Sequence, residues 1–132
     1  MISLTSKDAL RALLSVARLD AQTYVTVVEL AEISGVPKPY LSKLIKQLVK
    51  SGYLEGRKGP GGGVRLSAEG RKATFYDICL VTNEPITREH CFLSRTTCRK
   101  NTPCAFHAHW KEISGAAINF LKRSRIINGG AI

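Results

Sequence analysis

The chain has 132 residues, 44% of them hydrophobic, enough for one small domain with an appendage but not for two independent cores. No apolar run approaches the roughly 18–20 residues that span a bilayer. The N-terminal Met1–Lys7 lacks the charged and apolar regions of a secretion signal, so a soluble, cytoplasmic chain with no membrane partner is expected. Twenty Lys and Arg against ten Asp and Glu give a formal charge of +10, which points to a polyanionic partner, nucleic acid above all.

Leu10, Leu13, Leu14 and Ala17 recur at helical spacing and predict a first helix over Lys7–Ala21. A second helix starts at Thr26, which with Glu29 has capping-box spacing; it carries Leu30, Ala31 and Ile33 and stops at Ser34-Gly35. A third runs from Pro37 to Lys50, with Leu41, Leu44, Ile45 and Leu48 as its buried stripe and Gly52 just beyond its end. Residues 53–57 and 64–66 can then pair as a hairpin across the tip Gly59-Pro60-Gly61-Gly62-Gly63, flanked by Arg57, Lys58 and Arg65. Helix, helix, short turn, helix, basic hairpin is the order of a winged helix-turn-helix.

A further helix is predicted over Lys72–Thr82, with Phe75, Ile78 and Cys79 facing inward, followed by a loop from Asn83 to Thr102. A last helix is predicted from Pro103, with Thr102 as N-cap, to Arg125, a length of about 35 Å. Trp110, Ile113, Ala117, Phe120 and Ile127 form a seam along it, interrupted at Ser124. One small domain cannot cover so long a helix, so a second copy packed seam to seam is expected. The expected fold is therefore mainly α: a winged helix-turn-helix with a two-stranded β wing over residues 1–68, a connecting helix and cysteine-rich sensor segment over 69–102, and a long C-terminal dimerisation helix with its tail over 103–132.

The third helix is placed to enter a major groove. Lys38, Lys43, Lys46 and Lys50 can neutralise phosphates, while Tyr40 and Ser42 can exchange hydrogen bonds. The hairpin adds Arg57 and Lys58, with Lys58 placed to enter a minor groove. Double-stranded DNA is the expected partner, and a homodimer should read a near-palindromic site. No paired carboxylates, activated nucleophile or phosphate-binding loop appear in supporting context, which argues against an enzyme.

Cys91, Cys98 and Cys104 fall within fourteen residues, and His107 follows three residues after the last of them. In a chain without an export signal, such clustering favours a metal site or redox switch over a disulfide scaffold. Thiolates with an imidazole suit an iron–sulfur cluster. Cys104 is expected in the first turn of the last helix, on the same face as His107. Zinc and a bare thiol switch are the alternatives, although zinc sites favour a short cysteine pair that is missing here. A redox protein without DNA function is a rival that the basic helix and hairpin disfavour. Cys79, His90 and His109 read as ordinary structural residues.

Leu4-Thr5-Ser6-Lys7, Val36-Pro37-Lys38-Pro39-Tyr40-Leu41, the wing Lys58-Gly59-Pro60-Gly61-Gly62-Gly63, and Cys91, Cys98, Cys104-Ala105-Phe106-His107 and Trp110 carry a resemblance over nearly the whole chain. It resembles the family of bacterial winged-helix regulators that includes the iron–sulfur cluster regulator IscR and the nitric-oxide sensor NsrR. The resemblance implies a dimeric transcription factor, a repressor, whose three cysteines hold a cluster that answers to redox, nitric oxide or iron–sulfur status. In the IscR-like branch it implies His107 as fourth ligand to a 2Fe–2S cluster, the favoured assignment. In the NsrR-like branch Asp8 of the other subunit completes a 4Fe–4S cluster.

Overall fold

A computed structural model describes residues 2–88, 91–93 and 105–127. Helix α1 spans Leu4–Ala17, earlier at both ends than the predicted Lys7–Ala21. Ser3 caps it by accepting from the Ser6 N–H at 3.2 Å. At the far end the Asp20 side chain accepts from the Gln22 N–H at 2.9 Å, a local turn that competes with further helix. Helix α2 spans Val27–Ser34, with Thr26 accepting from the Glu29 N–H at 3.2 Å and Gly35 closing it at φ 74°. Helix α3 spans Lys38–Lys50, with Pro37 one position outside it as the cap. It ends in paired bonds, Gly52 N–H to Val49 and Tyr53 N–H to Leu48, both 3.0 Å, which require the left-handed Gly52 at φ 88°.

Strands β1 (Leu54–Arg57) and β2 (Gly63–Leu66) pair antiparallel, Leu54 with Leu66 and Arg57 with Gly63. Val25 exchanges two 2.8 Å backbone bonds with Val64, so the segment before α2 borders the other edge of β2. Two of the tip glycines are sterically enforced. A Cβ on Gly62 would lie 2.2 Å from the Arg57 carbonyl oxygen, and one on Gly63 2.2 Å from that of Val25.

The helix predicted over 72–82 is α5 (Phe75–Val81), and a short helix that was not predicted, α4 (Ala68–Lys72), precedes it across a break. The break comes from Thr74 and Asp77, which form a reciprocal capping box, and from the chain's far end. The Phe75 N–H donates to Ser124 (2.8 Å) and the Ile126 N–H to Ala73 (3.1 Å), holding 73–74 extended. A 3₁₀ turn at Pro85–Thr87 follows α5.

Helix α6 spans His107–Arg123, preceded by a turn at 105–106, so it starts later than the predicted Pro103. Thr102, Pro103 and Cys104 lie outside the described residues. The expectation that Cys104 shares a helical face with His107 therefore falls outside the described residues. At 17 residues α6 is about 25 Å long rather than 35 Å.

One core joins α1, α2, α3, the wing and α5 around Leu13, Leu30, Leu41, Leu48, Ile78 and Ile126, all at most 1% exposed. It therefore draws on residues from both sides of residue 68. A second, smaller cluster of Cys79, Ile86 and Leu121, with Ala117 and Ile118, seats α6 on α5. The predicted α6 seam only partly overlaps this contact. Ile113 and Phe120 remain 53% and 62% exposed, although the edge of the Phe120 ring meets Phe75 at 6.3 Å.

Candidate nucleic-acid interface and sensor segment

Helix α3 turns Leu41, Leu44, Ile45 and Leu48 into the core, which leaves Lys38, Lys43, Lys46 and Lys50 exposed on the opposite side. Four ammonium groups on long stems thus share one solvent-facing helix surface. Arg57 and Lys58 are exposed at the start of the wing tip. Tyr40 and Ser42, predicted as hydrogen-bonding readers, sit differently. Tyr40 is half-buried against the core and its hydroxyl bonds Thr5 Oγ1 of α1, while Ser42 Oγ donates to the Lys38 carbonyl at 3.0 Å. Both hydroxyls are therefore engaged within the protein, leaving the lysines as the uncommitted polar groups of this face.

The wing root contains a residue that sequence reasoning missed. Tyr24 lies under two guanidiniums, Arg65 at 4.5 Å and Arg57 at 5.9 Å from the ring centroid. Arg65 also donates from Nε to Glu55 at 2.6 Å, which raises its already high pKa. An aromatic residue immediately before the buried Val25 was the available signal, but only the Val25–Val64 pairing shows what it faces.

Of the expected cluster ligands, Cys91 and His107 are described, and Cys98 and Cys104 lie outside the described residues. The segment carrying Cys91 is held to α6 by its neighbour: the Phe92 ring packs on Trp110 at 5.2 Å between centroids. Trp110 is three residues along α6 from His107, so half-buried Cys91 is brought to the end of α6 where His107 sits. His107 Nδ1 is buried and has no hydrogen-bond partner among the described residues. A buried ring nitrogen normally has one. That orphaned atom, at the end of α6 to which Phe92 brings Cys91, fits a metal-bound group. Among the described residues no three of His, Cys, Asp and Glu are gathered, since two of the three clustered thiols lie outside them. Asp8 is on α1, where it lines an open cleft of about 430 Å³ with Leu4, Lys7, Arg11 and Gly35; neither Cys91 nor His107 lines it. Cys79 is fully buried and burial, with Glu84 adding, pushes its thiol up to about 11, so it stays a neutral small hydrophobe.

Glu84 is a second residue missed from sequence. It is only 3% exposed, yet its carboxylate accepts from the Ser3 N–H at 2.7 Å and from the Ser3 and Ser6 hydroxyls. Thr82 Oγ1 bonds Ser6 Oγ at 2.6 Å. The chain just after α5 is thereby tied to the first turn of α1, and Thr5 of that same turn bonds Tyr40 of α3.

The sequence and the fold have counterparts among known proteins. Residues 2–127 match the family described as "Rrf2: Iron-dependent Transcriptional regulator". An HTH-type transcriptional regulator of Aquifex aeolicus (strain VF5) is 33% identical over 92% of this chain and 85% of its own. The HTH-type transcriptional regulator IscR of Vibrio atlanticus (strain LGP32) is 31% identical over 91% of this chain and 70% of its own. In fold, CymR, the global cysteine regulator of B. subtilis, superposes with a TM-score of 0.79 at 21% identity, covering 96% of this chain and 92% of CymR. T. potens IscR superposes at 0.72 and 21% identity, covering 96% and 82%. These proteins are transcriptional regulators rather than enzymes, and the chain belongs to the Rrf2 family of winged-helix, DNA-binding transcriptional regulators.

Proposed function

We propose that the protein represses transcription by binding an operator duplex as a homodimer, under the control of an iron–sulfur cluster held by Cys91, Cys98, Cys104 and His107. The observation that carries the cluster reading is the buried, partnerless Nδ1 of His107 at the end of α6 to which Phe92 and Trp110 bring Cys91. Relatives named IscR support the same reading. When bound, the cluster supplies a redox-active and nitric-oxide-reactive centre whose potential depends on the surrounding charge and hydrogen bonds.

The protein's part is to convert the order of residues 83–104 into a change at the DNA-reading helix. Ligation by Cys91 and His107 favours one arrangement of that segment, and only a difference in affinity between two shapes can shift their populations. The path is physical: Glu84 to Ser3 and Ser6, then Thr5 to Tyr40 on α3, with a parallel link from Gln47 of α3 to Val81 of α5. On the DNA side, Lys38, Lys43 and Lys46 meet phosphates flanking the major groove, with Tyr40 and Ser42 supporting the helix, and Arg57 and Lys58 follow the minor groove. Dimerisation through Ile113 and its neighbours sets the spacing of two such modules.

Anaerobic purification with visible absorption, iron and sulfide analysis tests the cluster. Wild type is expected to be coloured, and Cys91→Ser and His107→Ala to lose or alter the spectrum. A colourless wild type carrying zinc rejects the assignment. A thiol switch is the second reading, favoured by a fold neighbour, Staphylococcus aureus CymR, solved in an oxidised form. In that case a colourless protein loses DNA affinity on mild oxidation and recovers it with dithiothreitol.

A further inference from the structure

We propose that Tyr24 is a positioning residue for DNA binding, setting Arg57 of the wing against the phosphate backbone of the duplex. The inference rests on the wing reading above and adds the residue that orders it. Leu54, Val64 and Leu66 are buried on one face of the hairpin, so Glu55, Arg57 and Arg65 share the other. Tyr24 reaches this outer face from the neighbouring segment, because its successor Val25 pairs with Val64 along the edge of β2.

The two guanidiniums over the ring differ in what they have left to offer. Arg65 is committed: Nε donates to Glu55 Oε1 at 2.6 Å and Nη1 to Gln22 Oε1 at 3.3 Å. Arg57 is exposed, and among the described residues no carboxylate pairs with it. Its cross-strand partner is Gly63, which has no side chain to compete with the ring for the guanidinium. A guanidinium resting on an aromatic face loses rotamer freedom but keeps its charge and its donors. Arg57 is thus pre-ordered beside the exposed Lys58 with its fork unpaired, and the chemistry matched to such a fork at the base of a basic hairpin is a phosphate. Tyr24 touches no DNA in this scheme; it acts through Arg57.

The test is fluorescence anisotropy with a labelled generic duplex of about 30 base pairs, long enough for two half-sites, across a salt series. Arg57→Gln should lower the slope of log affinity against log salt by about 1.8, one phosphate contact of about 0.9 from each protomer of the dimer. Tyr24→Leu should lower it by the same amount and weaken low-salt binding about two- to fivefold, whereas Tyr24→Phe, which keeps the ring, should match wild type. Tyr24→Leu in the Arg57→Gln background should change nothing further. An additional loss in that double variant, or an unchanged slope in Tyr24→Leu, overturns the role of Tyr24 while leaving the wing reading intact. Wild-type binding by Arg57→Gln overturns the wing reading itself. Thermal unfolding of each variant is followed alongside, and Tyr24→Gln replaces Tyr24→Leu if the latter does not fold.

Discussion

Gln47 Nε2, on the exposed side of α3, donates to the backbone carbonyl of Val81 at 2.8 Å, tying α3 to the last turn of α5. The bond uses an orphan carbonyl of a helix end, which needs a partner from outside the helix. Gln47→Ala should lower the unfolding free energy by about 0.5–1.5 kcal/mol. Gln47→Glu should cost more, because it sets a carboxylate against a carbonyl, two acceptors with no proton between them. Urea unfolding of the two variants checks this ordering, and the reverse order contradicts the bond.

Glu84 carries a pH prediction. Burial pushes its carboxyl up, but hydrogen bonds from Ser3 and Ser6 outweigh burial and hold it below its ordinary value of 4.5. Because the folded-state value is depressed, the stabilisation is fully present above the unfolded value and disappears as pH falls through the folded one. Glu84→Gln should cost about 1.5–3 kcal/mol at neutral pH, as for hydrogen bonds to a charged group. The gap from wild type should narrow below about pH 4, where the unfolded-state carboxyl titrates. Denaturant melts over a pH series measure it; a gap that widens toward acid contradicts the sign.

Two glycines should respond in opposite directions to alanine. A Cβ at Gly70 would lie 2.0 Å from the Tyr53 carbonyl oxygen and 3.1 Å from a Leu66 methyl, so α4 would have to move off the hairpin. Gly70→Ala should destabilise by about 1–3 kcal/mol. At Gly115, inside α6, a Cβ would meet nothing within 4 Å among the described residues, and Gly115→Ala should stabilise by about 0.5–1 kcal/mol. Thermal unfolding of the pair decides whether close approach or helix propensity governs each site.

Ile113 is 53% exposed on α6, about 80° around the helix from Leu121, which packs against Cys79 and Ile86. If this side meets a second copy, Ile113→Glu buries two unpaired carboxylates across the symmetry axis, a costly arrangement. Sedimentation velocity should show a dimeric wild type and a variant that dissociates at micromolar concentration, with far-UV circular dichroism unchanged. A wild-type monomer at the same concentration contradicts the expectation.

Periodicity and capping chemistry were enough to locate α2, α3 and the hairpin. The stripe Leu41, Leu44, Ile45, Leu48, the cap at Thr26 and the left-handed Gly35 and Gly52 are local signals, legible in a few residues of chain. The lysines of α3 were legible for the same reason, since whatever the core does not take faces water. Tertiary structure decided the rest. The early start of α1 depends on Ser3 and Ser6 meeting Glu84 some eighty positions away, and the break between α4 and α5 depends on Ser124 and Ile126 pairing with Phe75 and Ala73. The Tyr40 hydroxyl was read as available because local sequence cannot say that Thr5, thirty-five positions away, will claim it, whereas the Ser42 bond to Lys38 is local to α3. Tyr24 and its two arginines are distant in sequence and meet only because Val25 pairs with Val64: a hydrogen-bonded register sets which side chains share a face, and no local pattern encodes it.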